Sequence, residues 1–174
     1  PHVVSVIDLI SIGDAPALVM ERVDGPSLDD WLRQHQPTPD EAETLFRGIV
    51  QSVATAHAAG LVHRDLKPGN VLMARIGERW VPKVTDFGLA KDAHSGLGLP
   101  QSGMTMGTPG YMAPEQIRSP RDVDERADIF ALGCIFYQLL TGREPHEGTD
   151  ALSVMNAVTE GTVPRIERLC PGLD

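Results

Sequence analysis

The 174-residue sequence predicts an α+β domain that is mainly helical. Three features carry that expectation: a strongly capped amphipathic helix opening at Thr38, a helix apolar nearly all round between Ile129 and Leu140, and two pairs of short β-type runs within residues 3–22 and 71–85. The length allows one domain with a real core, and 41% hydrophobic with 22% charged residues is ordinary for a globular protein. A formal charge of −9 argues against nucleic acid or an anionic membrane face as the main partner. No apolar run approaches the length of a membrane span, and no secretory signal opens the sequence. Two cysteines, Cys134 and Cys170, are too few for a disulfide framework, so a reducing cytoplasm is the expected setting.

In chain order, Val3 to Leu9 and Ala17 to Arg22 read as two strands joined by a turn at Gly13-Asp14-Ala15-Pro16. Asp24-Gly25-Pro26 breaks the chain before a short helix over Leu28 to Arg33. Thr38-Pro39-Asp40-Glu41 then combines an N-cap, a proline at the first helical position and the capping-box glutamate. Ala42, Leu45, Phe46, Ile49, Val50 and Val53 follow at helical spacing, with Gly60 placed to stop the helix. Val71 to Ala74 and Val81 to Thr85 predict a small hairpin around Arg75 to Arg79. Residues 86–115 show no period and many Gly, Ser, Thr and Pro, which in a compact domain marks a functional or disordered stretch. A helix buried on every side is expected over Asp124 to Thr141, closed by Gly142, and another over Asp150 to Glu160. The tail through Cys170-Pro171-Gly172 reads as irregular.

The chemistry concentrates in His63-Arg64-Asp65-Leu66-Lys67-Pro68-Gly69-Asn70, followed by Asp86-Phe87-Gly88 and Ala113-Pro114-Glu115. Phosphoryl transfer from ATP needs cations across the phosphates, a group orienting the attacking hydroxyl, and positive charge near the transferring phosphate. Asp65 is the candidate base and Lys67 the phosphate contact. Asn70 offers a neutral oxygen and Asp86 a charged one, a sparse oxygen set that suits Mg²⁺ and suits zinc poorly. Each motif alone is weak; their order along one chain is the signal. Asp128, at the start of an apolar helix, is a carboxylate in need of partners.

These motifs, with the wording HRDLKPGNVL and GTPGYMAPEQ, make the chain resemble the eukaryotic-like serine/threonine protein kinases, most closely their bacterial branch. The resemblance implies a protein kinase-like fold, ATP and Mg²⁺ as cofactors, and a protein substrate phosphorylated on Ser or Thr. It assigns Asp65 as catalytic base, Lys67 to the phosphate, and Asn70 and Asp86 to the metal. It makes His63 and Phe87 spine residues under the catalytic loop, with Asp128 fixing that loop's backbone. Met20 falls at the gatekeeper position, the backbone of Glu21 and Val23 meets the adenine, and Leu72 is the floor beneath it. Arg64, helped by Lys91, is implied to hold a phosphate added to the activation segment, with Thr105 the first candidate acceptor and Ser102 the next. Thr108 is read as structural and substrate-facing.

The same resemblance divides the chain into the last small-lobe strands and hinge (1–23) and a large lobe (24–174). The glycine-rich loop, strand lysine and helix glutamate of a complete kinase are not in this sequence. The expectation is therefore a partial domain that alone binds ATP poorly, with Glu115 lacking its usual late arginine. Ser27 and Gly69, where relatives preferring basic substrates carry acids, argue against an arginine-directed preference. An inactive scaffold of the same fold and a small-molecule phosphotransferase are the competing readings; having both Asp-Phe-Gly and Ala-Pro-Glu favours a protein substrate.

Overall fold

The computed structural model describes residues 1–13, 15–87, 109–119 and 123–171. Its first pair of strands, β1 (Val6–Ile12) and β2 (Ala15–Met20), forms an antiparallel hairpin. The turn is tighter than the sequence suggests. Ala15 and Pro16 pair with Ile12 and Ser11 instead of sitting in the loop, and Gly13 takes φ +62. Proline is tolerated here because β2 is an edge strand, where a missing N–H breaks no ladder. Val3, expected in β1, instead bridges Val84 in parallel, and Val4 N donates to Val84 O at 2.9 Å.

The long helix α2 (Pro39–Ala58) follows a five-residue helix, α1 (Leu28–Leu32). Thr38 Oγ1 accepts from Glu41 N, and the Glu41 carboxylate accepts from Thr38 N at 2.9 Å, so the expected capping box is formed. After a single 3₁₀ turn at Pro68–Asn70, β3 (Val71–Ile76) and β4 (Arg79–Val84) make a second antiparallel hairpin. It runs longer than expected because Gly77, at φ +61, and Glu78 close it in two residues. Gly25 lies against this hairpin so closely that a Cβ would sit 1.8 Å from Met73 O. Only glycine lets Met73 N reach Pro26 O at 2.9 Å and bind the segment after β2 to the sheet.

The stretch expected to lack structure contains, among its described residues, a 3₁₀ turn at Pro109–Tyr111 and a short helix, α3 (Pro114–Arg118), with proline at its first position. Helix α4 (Arg126–Thr141) ends at Gly142, φ +70. It is not covered on every side: Ile129 is 56% exposed, and Gly133 one turn on is exposed too. Its buried face packs on α2, where Phe46 stacks on Phe136 at 4.3 Å, and Leu45, Ile49, Ile135 and Leu139 are all but inaccessible. Each such side chain contributes about 1.5–3 kcal/mol relative to exposure. A smaller cluster of Ala113, Val123 and Ala127, with Phe130 beside it, holds the segment of α3 against the start of α4. Helix α5 (Ala151–Glu160) is capped by Asp150. The tail is more regular than expected: a single turn, α6 (Ile166–Leu169), is pinned by Tyr137 OH to Pro164 O at 3.0 Å and Cys170 Sγ to Leu140 O at 3.1 Å. No helix among the described residues is long and apolar enough to cross a membrane.

Candidate active site

The loop joining α2 to β3 carries His63, Arg64, Asp65, Lys67 and Asn70 within eight residues. Three side chains converge there. Lys67 Nζ donates to Asp65 Oδ2 at 2.8 Å, and Asn70 Nδ2 donates to the same oxygen at 3.2 Å and to Asp65 O at 2.7 Å. Asp65 and Lys67 are both partly exposed, so the pair faces solvent on one side.

Beneath this group the backbone is held from α4. Asp128 is 1% exposed and accepts three bonds: His63 N at 2.8 Å and His57 Nε2 at 2.7 Å on Oδ2, and Arg64 N at 2.8 Å on Oδ1. Arg64 needs that support because its φ is +69, a left-handed conformation costly for a residue with a Cβ. Its carbonyl accepts from Gln116 Nε2 of α3 at 2.6 Å, and its guanidinium donates to Val123 O at 3.3 Å.

His63 links the loop to the segment after β4. Its Nε2 meets Thr85 O at 2.9 Å and its Nδ1 lies 3.3 Å from Asp65 N. A carbonyl can only accept and an amide N–H only donates, so the ring carries its proton on Nε2. Burial holds the imidazole below its ordinary pKa, which keeps that neutral tautomer. The ring packs at 4.8 Å on Phe87.

Asp86, in left-handed backbone at φ +63, follows directly on Thr85, whose N–H donates to Asn70 O at 3.0 Å. That bond sets Asp86 and Asn70 on neighbouring backbone. A cleft of about 420 Å³ brings Asp86 and Phe87 together with Met20 and with Val4 and Leu18 of the strand layer. Asn70 uses its amide nitrogen within the protein, while its Oδ1 accepts no bond among the described residues. Asn70 Oδ1 and the Asp86 carboxylate therefore fit a Mg²⁺ ion completed by phosphate and water. Among the described residues no group of three or more His, Cys, Asp and Glu could enclose a metal by itself.

The remaining expected residues fall around this centre unevenly. Glu21 forms an ion pair with Lys83 of β4, which holds its carboxyl below the usual range, and its N–H donates to Ser5 O at 2.9 Å. Val23 and Leu72 are half-buried and do not line the cleft; Leu72 pairs with Lys83 and bridges Ser27. Glu115 has no ion-pair partner among the described residues. Lys91, Ser102, Thr105 and Thr108 lie outside the described residues. Sequence reasoning missed His57, Gln116 and Lys83. Of these only Gln116 carried a signal, a Gln three residues into a proline-led helix.

This arrangement is a protein kinase-like fold. The comparisons agree: residues 1–170 match the protein kinase domain family, and the chain belongs to it. It is 43% identical to the serine/threonine-protein kinase PkaA of Streptomyces coelicolor over 90% of its length, and 37% identical to PknL of Mycobacterium tuberculosis over 98%. PrkC of Bacillus subtilis is 36% identical over 99%. The chain spans 28%, 42% and 26% of these three relatives. Among solved structures, Rad53 residues 1–466 in complex with AMP-PNP superposes with a TM-score of 0.76 at 28% identity, over 94% of this chain and 40% of that one.

Proposed function

We propose that the chain supplies the phosphate-transfer core of a serine/threonine protein kinase acting on protein hydroxyls with ATP and Mg²⁺. The observation that carries the reading is the convergence of Asp65, Lys67 and Asn70 within 3.2 Å on a loop held by Asp128. Mg²⁺–ATP, when bound, supplies the phosphoryl group and the cation that balances its charge. Asp65 accepts the proton of the substrate hydroxyl, a role worth roughly 10²–10⁴-fold for a positioned base. Lys67, close enough to bond Asp65, serves as the cation beside the transferring phosphate, and Asn70 orients Asp65 through its amide while turning its oxygen to the metal. Met20, which lines the cleft with Asp86 and Phe87, supports an adenine side at the end of β2; Glu21, Val23 and Leu72 are assigned there by the family resemblance alone. A Lys67-Pro68 pair and the Gly107-Thr108-Pro109 run support Ser or Thr as the acceptor.

On this reading residues 1–23 are the last small-lobe strands and the hinge, and residues 24–174 belong to the large lobe. The apolar surface of β1 supports it: Val6, Ile7, Leu9 and Ile12 are each at least 60% exposed, a surface suited to further strands of a small lobe. Control runs through Arg64, with Lys91 and a phosphate on Thr105 of the activation segment as its counterparts.

The test is ATP-dependent phosphorylation of a Ser/Thr protein substrate by the full-length gene product, with Asp65→Asn as control. Transfer slowed by roughly 10²–10⁴-fold by that substitution, with a residual rate still measurable, is the expected result. Transfer that stays near the wild-type rate refutes the assignment of the base, and a wild-type protein that transfers nothing leaves an inactive scaffold. Thr105→Ala is expected to slow turnover; unchanged activity with no phosphate at Thr105 by mass spectrometry removes the regulatory part.

A further inference from the structure

Helix α3 is joined to the loop that carries Asp65 by a hydrogen bond from a side chain, that of Gln116. Both ends of its amide are used. The Oε1 accepts from Ala113 N at 2.9 Å, the cap-directed half of a capping box, and the Nε2 donates to Arg64 O at 2.6 Å. Arg64 O belongs to the peptide unit that leads into Asp65. The same residue has φ +69 and donates its N–H to Asp128 Oδ1, so the two sides of this strained residue are held by different elements. Asp128 holds the amide from α4, and Gln116 holds the carbonyl from α3. Ala113, Val123 and Ala127 pack between those elements and keep α3 at the right distance.

We infer that Gln116 is a positioning residue for Asp65, coupling the end of the activation segment to the catalytic loop; the inference rests on the kinase reading above. Its donor sets the orientation of the Arg64–Asp65 peptide, and through it the direction of the Asp65 carboxylate. Gln116→Glu isolates this role. The carboxylate keeps the acceptor that caps Ala113 N, while an oxygen facing the Arg64 carbonyl can donate nothing to it.

The experiment measures steady-state transfer by the full-length protein. The expected result for Gln116→Glu is a kcat lower by about tenfold to 10²-fold, the scale of a 1 Å misplacement of a catalytic group. KM for ATP and the melting temperature stay close to wild type. In an Asp65→Asn background the same substitution is expected to lower the residual rate by less than twofold, because the group it aims is gone. Gln116→Asn, too short to span both partners, is expected to match Gln116→Glu and serves if the charged variant folds poorly. A kcat within twofold of wild type for either variant overturns the inference, as does an equal loss with and without the Asp65 carboxylate. A wild-type protein without transfer activity refutes the kinase reading instead.

Discussion

Removal of the Asp128 carboxylate is the sharpest test of how the site is built. In the structure Asp128 accepts from two loop amides and one imidazole while almost wholly inaccessible to water. Asp128→Ala deletes both acceptor oxygens and the three bonds they accept, and leaves the N–H groups of His63 and Arg64 without partners. Each orphaned donor costs about 1–3 kcal/mol, so the two together cost roughly 2–6 kcal/mol. For a protein of this size that corresponds to a melting temperature lower by roughly 5–20 °C. Asp128→Asn keeps one acceptor oxygen and is expected to lose about half as much. The assay pairs thermal unfolding with amide hydrogen exchange, since His63 N and Arg64 N are predicted to exchange faster than the amides of α2. A melting temperature within about 2 °C of wild type, with both loop amides still protected, refutes the reasoning.

Gly25→Ala is expected to destabilise severely, because the new Cβ meets the Met73 backbone at 1.8 Å, whereas Gly133→Ala has open space and is expected to stabilise α4 by about 0.5–1 kcal/mol; thermal melts of the two variants check both. Burial pushes the Cys134 thiol up to about 12, so thiol reagents at pH 8 are expected to label Cys170 first and Cys134 only on unfolding, read by mass spectrometry. Glu144 is held above its ordinary value of 4.5 by burial and by Asp29 and Glu147. Its folded form keeps a proton that the unfolded chain has lost, so stability falls as pH rises from 4.5 through the folded value. Glu144→Gln is therefore expected to raise the melting temperature at pH 7.5, with the gain shrinking as the pH approaches 4.

Much of the fold was legible because local signals and tertiary packing agree. Thr38, Pro39 and Glu41 announce α2 through bonds made within four residues, and Gly142 ends α4 in the left-handed backbone that glycine favours. The first strand was placed too early and the second too late because the register is set by pairing across strands and by the Val3–Val84 bridge, neither of which has a local marker. In the site, Asp65, Lys67 and Asn70 were readable because they lie in one loop. His57 was not: it ends an ordinary amphipathic helix, and only the fold sets it against Asp128, 71 residues away.

Among the described residues, the two non-glycine residues in left-handed backbone, Arg64 and Asp86, are both at the site. Such conformations cost of order 1–3 kcal/mol each and persist only where surrounding bonds determine them. Arg64 is bonded at its N–H and its carbonyl, and Thr85, just before Asp86, is bonded at both its backbone groups, to Asn70 O and to His63. His63 is thus the shared member: its own N–H rests on Asp128 while its ring holds Thr85 O. The loop with Asp65 and the turn with Asp86 are not independent supports that happen to meet. A change that moves one displaces the other through a buried neutral imidazole, so a His63 substitution disturbs the Asp65 side and the Asp86 side of the site together.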